Sequence, residues 1–366
     1  MKVLHIASGD LWAGAEVQIY TLLSQLALQL DVCAILLNEG ELAHRLRASK
    51  IAVIILPENT LNGIQLFRAI LSNILKFQPD IVHTHRQKEN ILASIACFYY
   101  RFRYRQRIAS LRTVHGSSEY EPKGLQHIYK LLDWLAGNYI QQGIIAVSSD
   151  LAIKLKNRFK PERIITLHNG INRTQLEKIT PASDIAHKDQ FQVGIVGRIE
   201  PVKRIDLFLE IAKELLSLIP TQDQIRFHVI GDGKLKKKME LYAHSLGIQD
   251  SVIFHGYRND SINCLKALDC LIMCSDHEGT PMTILEALSL STPVVVHGVG
   301  GLLEILPENS HNLVFDQNAK QYAEAVSNQL LQKIPCPRLS NQYDAAFNAA
   351  KMIELYTRLV RSDENS

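Results

Sequence analysis

At 366 residues, 46% hydrophobic and 21% charged, the chain has the composition of a soluble globular protein and a length that suits two domains rather than one. A formal net charge of +3 and an isoelectric point near 8.4 are too modest for a nucleic-acid binder, and no apolar run is long enough to span a membrane. Six cysteines, at 33, 97, 264, 270, 274 and 336, form no C-x-x-C pair and no zinc-type spacing, so buried thiols in a reducing, cytoplasmic setting are expected.

Met1-Lys2-Val3-Leu4-His5-Ile6-Ala7 is apolar but short, and Asp10 follows at once; a first strand is expected there rather than a signal peptide. Further strand patterns fall at 32–37, 53–56, 81–83, 107–114 and 144–147, with helical spacing over 15–29 and 66–77. Near 173–190 the polar, proline-punctuated Thr180-Pro181-Ala182-Ser183-Asp184 reads as a linker. Beyond it the scheme repeats, with strands at 192–196, 226–230, 252–255, 270–274 and 293–296 and helices at 206–218 and 234–246. A last helix, 343–360, follows Pro335-Cys336-Pro337 and packs on the second domain or crosses back to the first. Such alternation implies parallel sheets with right-handed crossovers, hence an α/β protein of two doubly wound, Rossmann-like domains. The expected divisions are 1–180, 181–342 and a C-terminal helix over 343–366. Residues 1–180 carry 22 Lys+Arg against 14 Asp+Glu, a net of +8 that leaves −5 for the remainder, so the two halves should meet different partners.

Doubly wound sheets bind ligands beyond the carboxyl ends of their strands, and four such places carry unusual residues. Ala13-Gly14-Ala15-Glu16 opens a helix after the first strand. Small residues there let backbone N–H groups approach an anion, and the lack of G-x-G-x-x-G argues against a nicotinamide enzyme. Gly197-Arg198-Ile199-Glu200-Pro201-Val202-Lys203 sets two cations about a proline turn, a planar fork and a point charge that both suit a diphosphate. In Ser275-Asp276-His277-Glu278-Gly279-Thr280-Pro281-Met282-Thr283-Ile284-Leu285-Glu286-Ala287, Glu278 stands at a loop tip and Glu286 lies about two turns on, as a helix begins. Carboxylates accept paired hydroxyl hydrogen bonds, so sugar hydroxyls and a ribose diol are natural ligands; a hydrolase acid–base pair is the rival. Gly231-Asp232-Gly233 and Phe254-His255-Gly256-Tyr257 allow close backbone approach around phosphates and a nucleobase.

Together with Asp80-Ile81-Val82-His83-Thr84-His85, Thr113-Val114-His115-Gly116, Val147-Ser148-Ser149 and Asn169-Gly170, these motifs give the chain, over nearly its whole length, a resemblance to the retaining glycosyltransferases of family 4. The resemblance implies the GT-B fold: two Rossmann-like domains facing each other across a cleft, the first binding acceptor and the second nucleotide-sugar donor. It implies that Arg198 and Lys203 bind the donor diphosphate, Glu286 the ribose hydroxyls and Glu278 hydroxyls of the transferred sugar. Gly14 would belong to a loop closing over the substrates, His115 would line the reaction centre, and Gly197, Gly231, Gly233, Tyr257, Gly279 and Thr280 would complete the donor site. Ala13 replaces the first glycine of the family's usual Gly-Gly pair, and Thr280 stands where many members have a bulky apolar residue, which bears on donor-sugar preference. The implied mechanism retains anomeric configuration by same-face attack, with Arg198 and Lys203 stabilising the leaving phosphate as it helps take the acceptor proton. The donor is a UDP- or GDP-type sugar. No cofactor or metal is expected, because Asp-x-Asp is absent and His83 and His85, at a strand end, read as structural or substrate-lining.

On the acceptor side, Phe98-Tyr99-Tyr100-Arg101-Phe102-Arg103-Tyr104-Arg105-Gln106-Arg107 mixes four arginines with aromatics. Arg101, Arg103, Arg105 and Arg107 would either cap a helix end in water or hold the protein against an anionic membrane. A glycan or lipid-linked acceptor follows, for polysaccharide, lipopolysaccharide or glycolipid synthesis at the inner face of the cytoplasmic membrane. A nucleotide-sugar epimerase and a non-catalytic nucleotide-sugar-binding scaffold are the alternatives, and Lys234-Lys236-Lys237-Lys238 reads as the exposed start of a helix.

Overall fold

A computed structural model of the chain describes residues 1–10, 12–116, 126–218 and 224–362. Its contacts divide the chain into two compact units, Met1–Ile171 with Asn341–Ser366, and Asn172–Ser340.

The first unit runs β1 (Lys2–Ala7), α1 (Gly14–Leu26), β2 (Asp31–Leu36), α2 (Glu41–Ala48), β3 (Ala52–Ile55), α3 (Gly63–Phe77), β4 (Ile81–Thr84), α4 (Gln87–Tyr104), β5 (Ala109–Val114), α5 (Gln126–Leu135), β6 (Gly143–Ala146), α6 (Ser149–Lys156) and β7 (Ile164–Thr166). Its parallel sheet has the order β3-β2-β1-β4-β5-β6-β7. The central strands are buried on both faces: after Lys2 every residue of β1 is inside, as a parallel sheet covered by helices requires. On α3, Leu66, Ile70 and Ile74 supply the buried stripe, while Asn62 and Gln65 cap its start reciprocally.

The second unit contains α7 (Arg173–Leu176), β8 (Phe191–Val196), α8 (Ile205–Leu218), β9 (Ile225–Ile230), α9 (Lys236–Ser245), β10 (Val252–Gly256), α10 (Ser261–Ala267), β11 (Cys270–Met273), α11 (Met282–Ser289), β12 (Val294–His297), α12 (Leu302–Ile305), β13 (Leu313–Val314) and α13 (Ala319–Gln332). Its parallel sheet has the order β10-β9-β8-β11-β12-β13. In each sheet the strand order reverses beside the first strand, between β1 and β4 and between β8 and β11.

The last helix, α14 (Ala345–Ser362), belongs to the first unit. Ala349, Met352, Leu355, Tyr356 and Leu359 join one core with Ile19, Leu22 and Leu23 of α1 and with Ile81 and Leu111 of the sheet. The returning chain is pinned by a parallel bridge between Ile171 and Asp344, where Ile171 N–H donates to Tyr343 O at 2.9 Å and Ala345 N–H to Ile171 O at 3.0 Å.

The first division falls after Ile171, upstream of the expected 180/181, because the linker-like segment is tied to the second unit. Ala182 N–H donates to Asn263 O at 2.9 Å, Asn263 Nδ2 to Thr180 O at 2.8 Å, and Arg258 pairs with Asp184 at 2.6 Å. All six cysteines are free, five of them buried and Cys336 half-buried; burial pushes the Cys97 thiol up to about 12. No helix is long and apolar enough to cross a membrane among the described residues.

One charged pair is sealed inside the first unit. Arg112 on β5 and Asp133 on α5 are at most 1% exposed and bonded to each other, and Asp133 also accepts from Asn90 Nδ2 at 2.9 Å. Replacing Asp133 by alanine deprives a buried guanidinium of its carboxylate, so stability should fall by about 3–5 kcal/mol. Urea denaturation of Asp133→Ala checks this: the midpoint should drop while the slope stays that of the parent.

Candidate functional site

Ligands of such sheets collect where the strand order reverses. In the second unit that is the gap between β8 and β11, and the loops leaving these strands carry Arg198, Lys203 and Glu278. After β8, Gly197 turns with φ 153°. Its N–H donates to Ile230 O at 3.0 Å, and Ile199 N–H to Asp232 O at 2.9 Å, so the chain beyond β8 runs beside the chain beyond β9. Glycine is obligatory here. A Cβ on Gly231, itself at φ 142°, would lie 2.0 Å from Gly197 O, and one on Gly233 would lie 2.4 Å from Ile199 O.

The short 3-10 turn Pro201–Lys203 then sends Lys203 back over the open face of Gly197, its Cε 3.6 Å from where a Cβ would stand. Lys203 Nζ reaches Glu278 Oε1 at 2.6 Å, with both side chains mostly enclosed. The two loops are fastened by Asp276 N–H to Val202 O at 2.9 Å and by the Cys274 thiol to Arg204 O at 3.2 Å. A second glycine contact sets the Glu278 backbone: at Gly300, φ 55°, a Cβ would sit 2.0 Å from Glu278 O.

The remaining residues expected here surround that core. Arg198 is exposed, and its guanidinium makes no hydrogen bond or ion pair with the described residues. Half-buried Gly279 and buried Thr280 lead into α11, whose start favours an anion. Glu286 lies in the second turn of α11, beyond its start. It is half-buried, its carboxylate accepts no hydrogen bond from the described residues, and burial pushes its pKa up to about 7. Tyr257, after β10, is 59% exposed. The site thus offers one engaged cation, one disengaged cation and one carboxylate awaiting a donor.

In the first unit the reversal lies between β1 and β4. Ala13 caps α1 with φ −140° and ψ −176°, extended backbone that alanine adopts freely, so the missing glycine introduces no strain; Gly14 is the exposed first residue of the helix. Sequence reasoning missed the ion cluster beside it. Arg86, just after β4, reaches Asp10 at 3.1 Å and Glu16 at 2.5 Å. Glu16 is 1% exposed, and burial raises its pKa against the pull of Arg86.

A row of histidines fills the same end of the sheet. Parallel pairing sets His5 beside His83, and the pleat returns His85 to that face two residues on. His5 Nδ1 lies 3.0 Å from His85 Nε2, and His85 Nδ1 lies 3.2 Å from His115 Nε2. His83 contacts Tyr356 OH at 2.6 Å and Thr113 Oγ1 at 2.7 Å, and Tyr356 OH reaches His5 Nε2 at 3.3 Å. Burial lowers the pKa of all four, that of His5 and His115 to about 3, so they are neutral imidazoles. Nitrogens of His5, His83 and His85 are within 4.8 Å of one another, close enough to hold a metal ion. Both ring nitrogens of each are, however, already engaged by the contacts above.

Two parallel-sheet, Rossmann-like units with their loops so arranged define the GT-B class of glycosyltransferase folds. Comparison with known proteins supplies the family. A model of glycosyl transferases group 1 matches residues 178–345, and one of glycosyltransferase family 4 matches residues 12–175; the chain belongs to this family. An Escherichia coli UDP-Gal:alpha-D-GlcNAc-diphosphoundecaprenol alpha-1,3-galactosyltransferase is 32% identical over 62% of this chain and 59% of its own. A Streptococcus pneumoniae alpha-monoglucosyldiacylglycerol synthase is 27% identical over 63% of this chain and 55% of its own. The chain therefore spans a little over half the length of these curated relatives. Among solved structures, Anabaena HepE in complex with UDP and glucose superposes with a TM-score of 0.81 at 19% identity, covering 98% of this chain and 100% of that one. TarM gives 0.73 at 12% identity, covering 98% of both chains.

The glycine contacts are directly testable. Gly231→Ala should cost about 2 kcal/mol or more, through a strained φ and a backbone collision, and should abolish nucleotide binding. Gly63→Ala, with nothing within 4 Å of its Cβ, should leave both unchanged. Thermal denaturation with and without nucleoside diphosphate reads the two variants side by side.

Proposed function

We propose that the chain is a retaining glycosyltransferase that moves a sugar from a UDP- or GDP-type donor to a glycan or lipid-linked acceptor in cell-surface polysaccharide, lipopolysaccharide or glycolipid synthesis. The observation that carries this reading is the Lys203–Glu278 pair at the strand-order reversal of the second unit, with unengaged Arg198 on the same loop as Lys203. An arriving diphosphate draws Lys203 from Glu278. The cation then faces the phosphate with Arg198, and the freed carboxylate accepts hydroxyls of the sugar. As the bond from sugar to phosphate breaks, the two cations stabilise the charge gathering on the leaving group, doing the work that a divalent ion does elsewhere. Glu286 accepts the ribose diol, and His115 meets the reacting groups of the substrates. Same-face attack, the leaving phosphate assisting removal of the acceptor proton, retains the anomeric configuration.

A lipid-linked acceptor is supported by the outer end of α4 and by α5, which pack together. Phe98, Tyr99 and Phe102 on α4 are 56%, 42% and 78% exposed, and Ile128 and Leu131 on α5 are 58% and 56% exposed. Beside them Arg103, Arg105 and Arg107 are exposed. Arg101 departs from the expected set of four: its guanidinium turns inward to the Ile140 carbonyl at 2.9 Å. Three cations beside exposed aromatics suit peripheral contact with an anionic inner leaflet; of the relatives named above, one galactosylates a GlcNAc-diphosphoundecaprenol and one makes a monoglucosyldiacylglycerol.

Incubating the protein with labelled nucleotide sugars and lipid-linked acceptors tests the reading. A new glycosylated product whose anomeric proton couplings match the donor's supports it. An inverted product overturns the retaining mechanism, a converted donor indicates an epimerase, and an unconsumed donor a binding protein. Because the diol bonds best to ionised Glu286, donor affinity should rise as pH increases through about 7, the proton leaving on binding. Glu286→Gln should flatten that rise and weaken binding about tenfold; calorimetric titration from pH 5.5 to 8.5 checks both. Anionic vesicles should retain the protein at low salt, and Arg103→Glu with Arg105→Glu should release it.

A further inference from the structure

The buried histidines form one unbranched hydrogen-bonded chain. Its order is Thr113, His83, Tyr356, His5, His85, His115, with every link between 2.6 and 3.3 Å. A neutral imidazole has one N–H and one bare nitrogen, so each ring must accept at one end and donate at the other. The tyrosine hydroxyl, bonded on both sides, does the same. The chain consequently has two polarities and no mixed arrangement that satisfies every link.

The Thr113 end decides between them. If Thr113 donates to His83 Nε2, all five links are made and the Thr113 hydroxyl is satisfied: His83 Nδ1–H donates to Tyr356, Tyr356 O–H to His5 Nε2, His5 Nδ1–H to His85 Nε2, and His85 Nδ1–H to His115 Nε2. In the reverse polarity His83 donates to Thr113, whose own O–H then needs an acceptor. Thr113 is 5% exposed, and no second partner for its hydroxyl exists among the described residues; a buried hydroxyl without an acceptor costs about 1–3 kcal/mol. At the other end, His115 Nδ1 is buried and has no partner among the described residues in either polarity, so the choice rests on Thr113.

We propose that Thr113, through His83, Tyr356, His5 and His85, fixes His115 as the neutral tautomer protonated on Nδ1, so that it offers substrate a hydrogen-bond donor and never a base. The four intervening residues are positioning residues that act through His115. This rests on the reading that His115 touches substrate. The tautomer is measured without it, so the two fail separately. No net proton transfer is involved; the chain sets which nitrogen carries the proton.

Histidine-ring 15N NMR of the full chain at pH 7 is the test. In the parent protein His115 should show a protonated Nδ1 and a bare Nε2, and His5 and His85 the same. Tyr356→Phe cuts the chain two links away from His115, so the Nε2-protonated form of His115 should appear there, with donor affinity unchanged. Thr113→Val should do likewise, whereas Thr113→Ser, which keeps the hydroxyl, should restore the parental spectrum. A His115 protonated on Nε2 in the parent protein overturns the proposal, and so does a spectrum indifferent to Tyr356→Phe and Thr113→Val. Loss of the His5, His83 and His85 ring N–H signals on adding stoichiometric zinc also overturns it, in favour of a metal centre. If the tautomers behave as stated, transfer should fall about tenfold in Tyr356→Phe. Full activity in that variant and in His115→Ala would leave the tautomer standing and remove His115 from the reaction.

Discussion

No side chain fits between the carboxyl ends of β8 and β9. The carbonyl oxygen of Gly197 occupies the place of a Gly231 Cβ, and a second carbonyl, that of Glu278, occupies the place of a Gly300 Cβ. The first of these close approaches joins the loops after β8 and β9 and the second those after β11 and β12, on either side of the point where the sheet order reverses. The cations and carboxylates of the second unit inherit their positions from those contacts. With the backbone held, Lys203 folds over a bare glycine and meets Glu278, 75 residues on in sequence. The Lys203–Glu278 pair is thus held in place by the backbone around it.

The first unit solves a different problem. Its sheet face carries five polar rings, His5, His83, His85, His115 and Tyr356, where an apolar core is the rule. They are tolerated because each is neutral and each hydrogen bond hands on to the next, so no charge is stranded inside. The arrangement depends on α14, which supplies Tyr356 from the far end of the chain. The helix thus completes the polar row as well as the apolar core formed with α1.

Much of this was legible in the sequence, for physical reasons that also explain the gaps. Strands such as β1 and β11 are apolar on both faces, which marks a parallel sheet without any alignment. The basic and acidic loops after β8 and β11 stand out because glycine, proline and charge fall together where a strand stops. β13, two residues long, and β7, three residues long, have no period to read. The linker was misjudged because polarity and proline describe a segment's surface and not its attachments: Thr180 bonds to Asn263, 83 residues away in sequence, and so does Ala182. The pleat in Ile81-Val82-His83-Thr84-His85 was visible, but its partners were not, since Tyr356 lies 351 residues from His5. Arg86 and Glu16 were hidden in the same way, 70 residues apart. Contacts closed by topology leave no local signature.

The central claim is that the second unit holds a nucleoside diphosphate with two cations and no metal. Thermal denaturation against UDP, GDP, ADP and their sugars, in chelator, addresses it most directly. The account predicts a clear rise in melting temperature with one nucleotide that is unaffected by chelator and lost in Arg198→Ala. A rise that requires a divalent ion, or that survives loss of both Arg198 and Lys203, would contradict it.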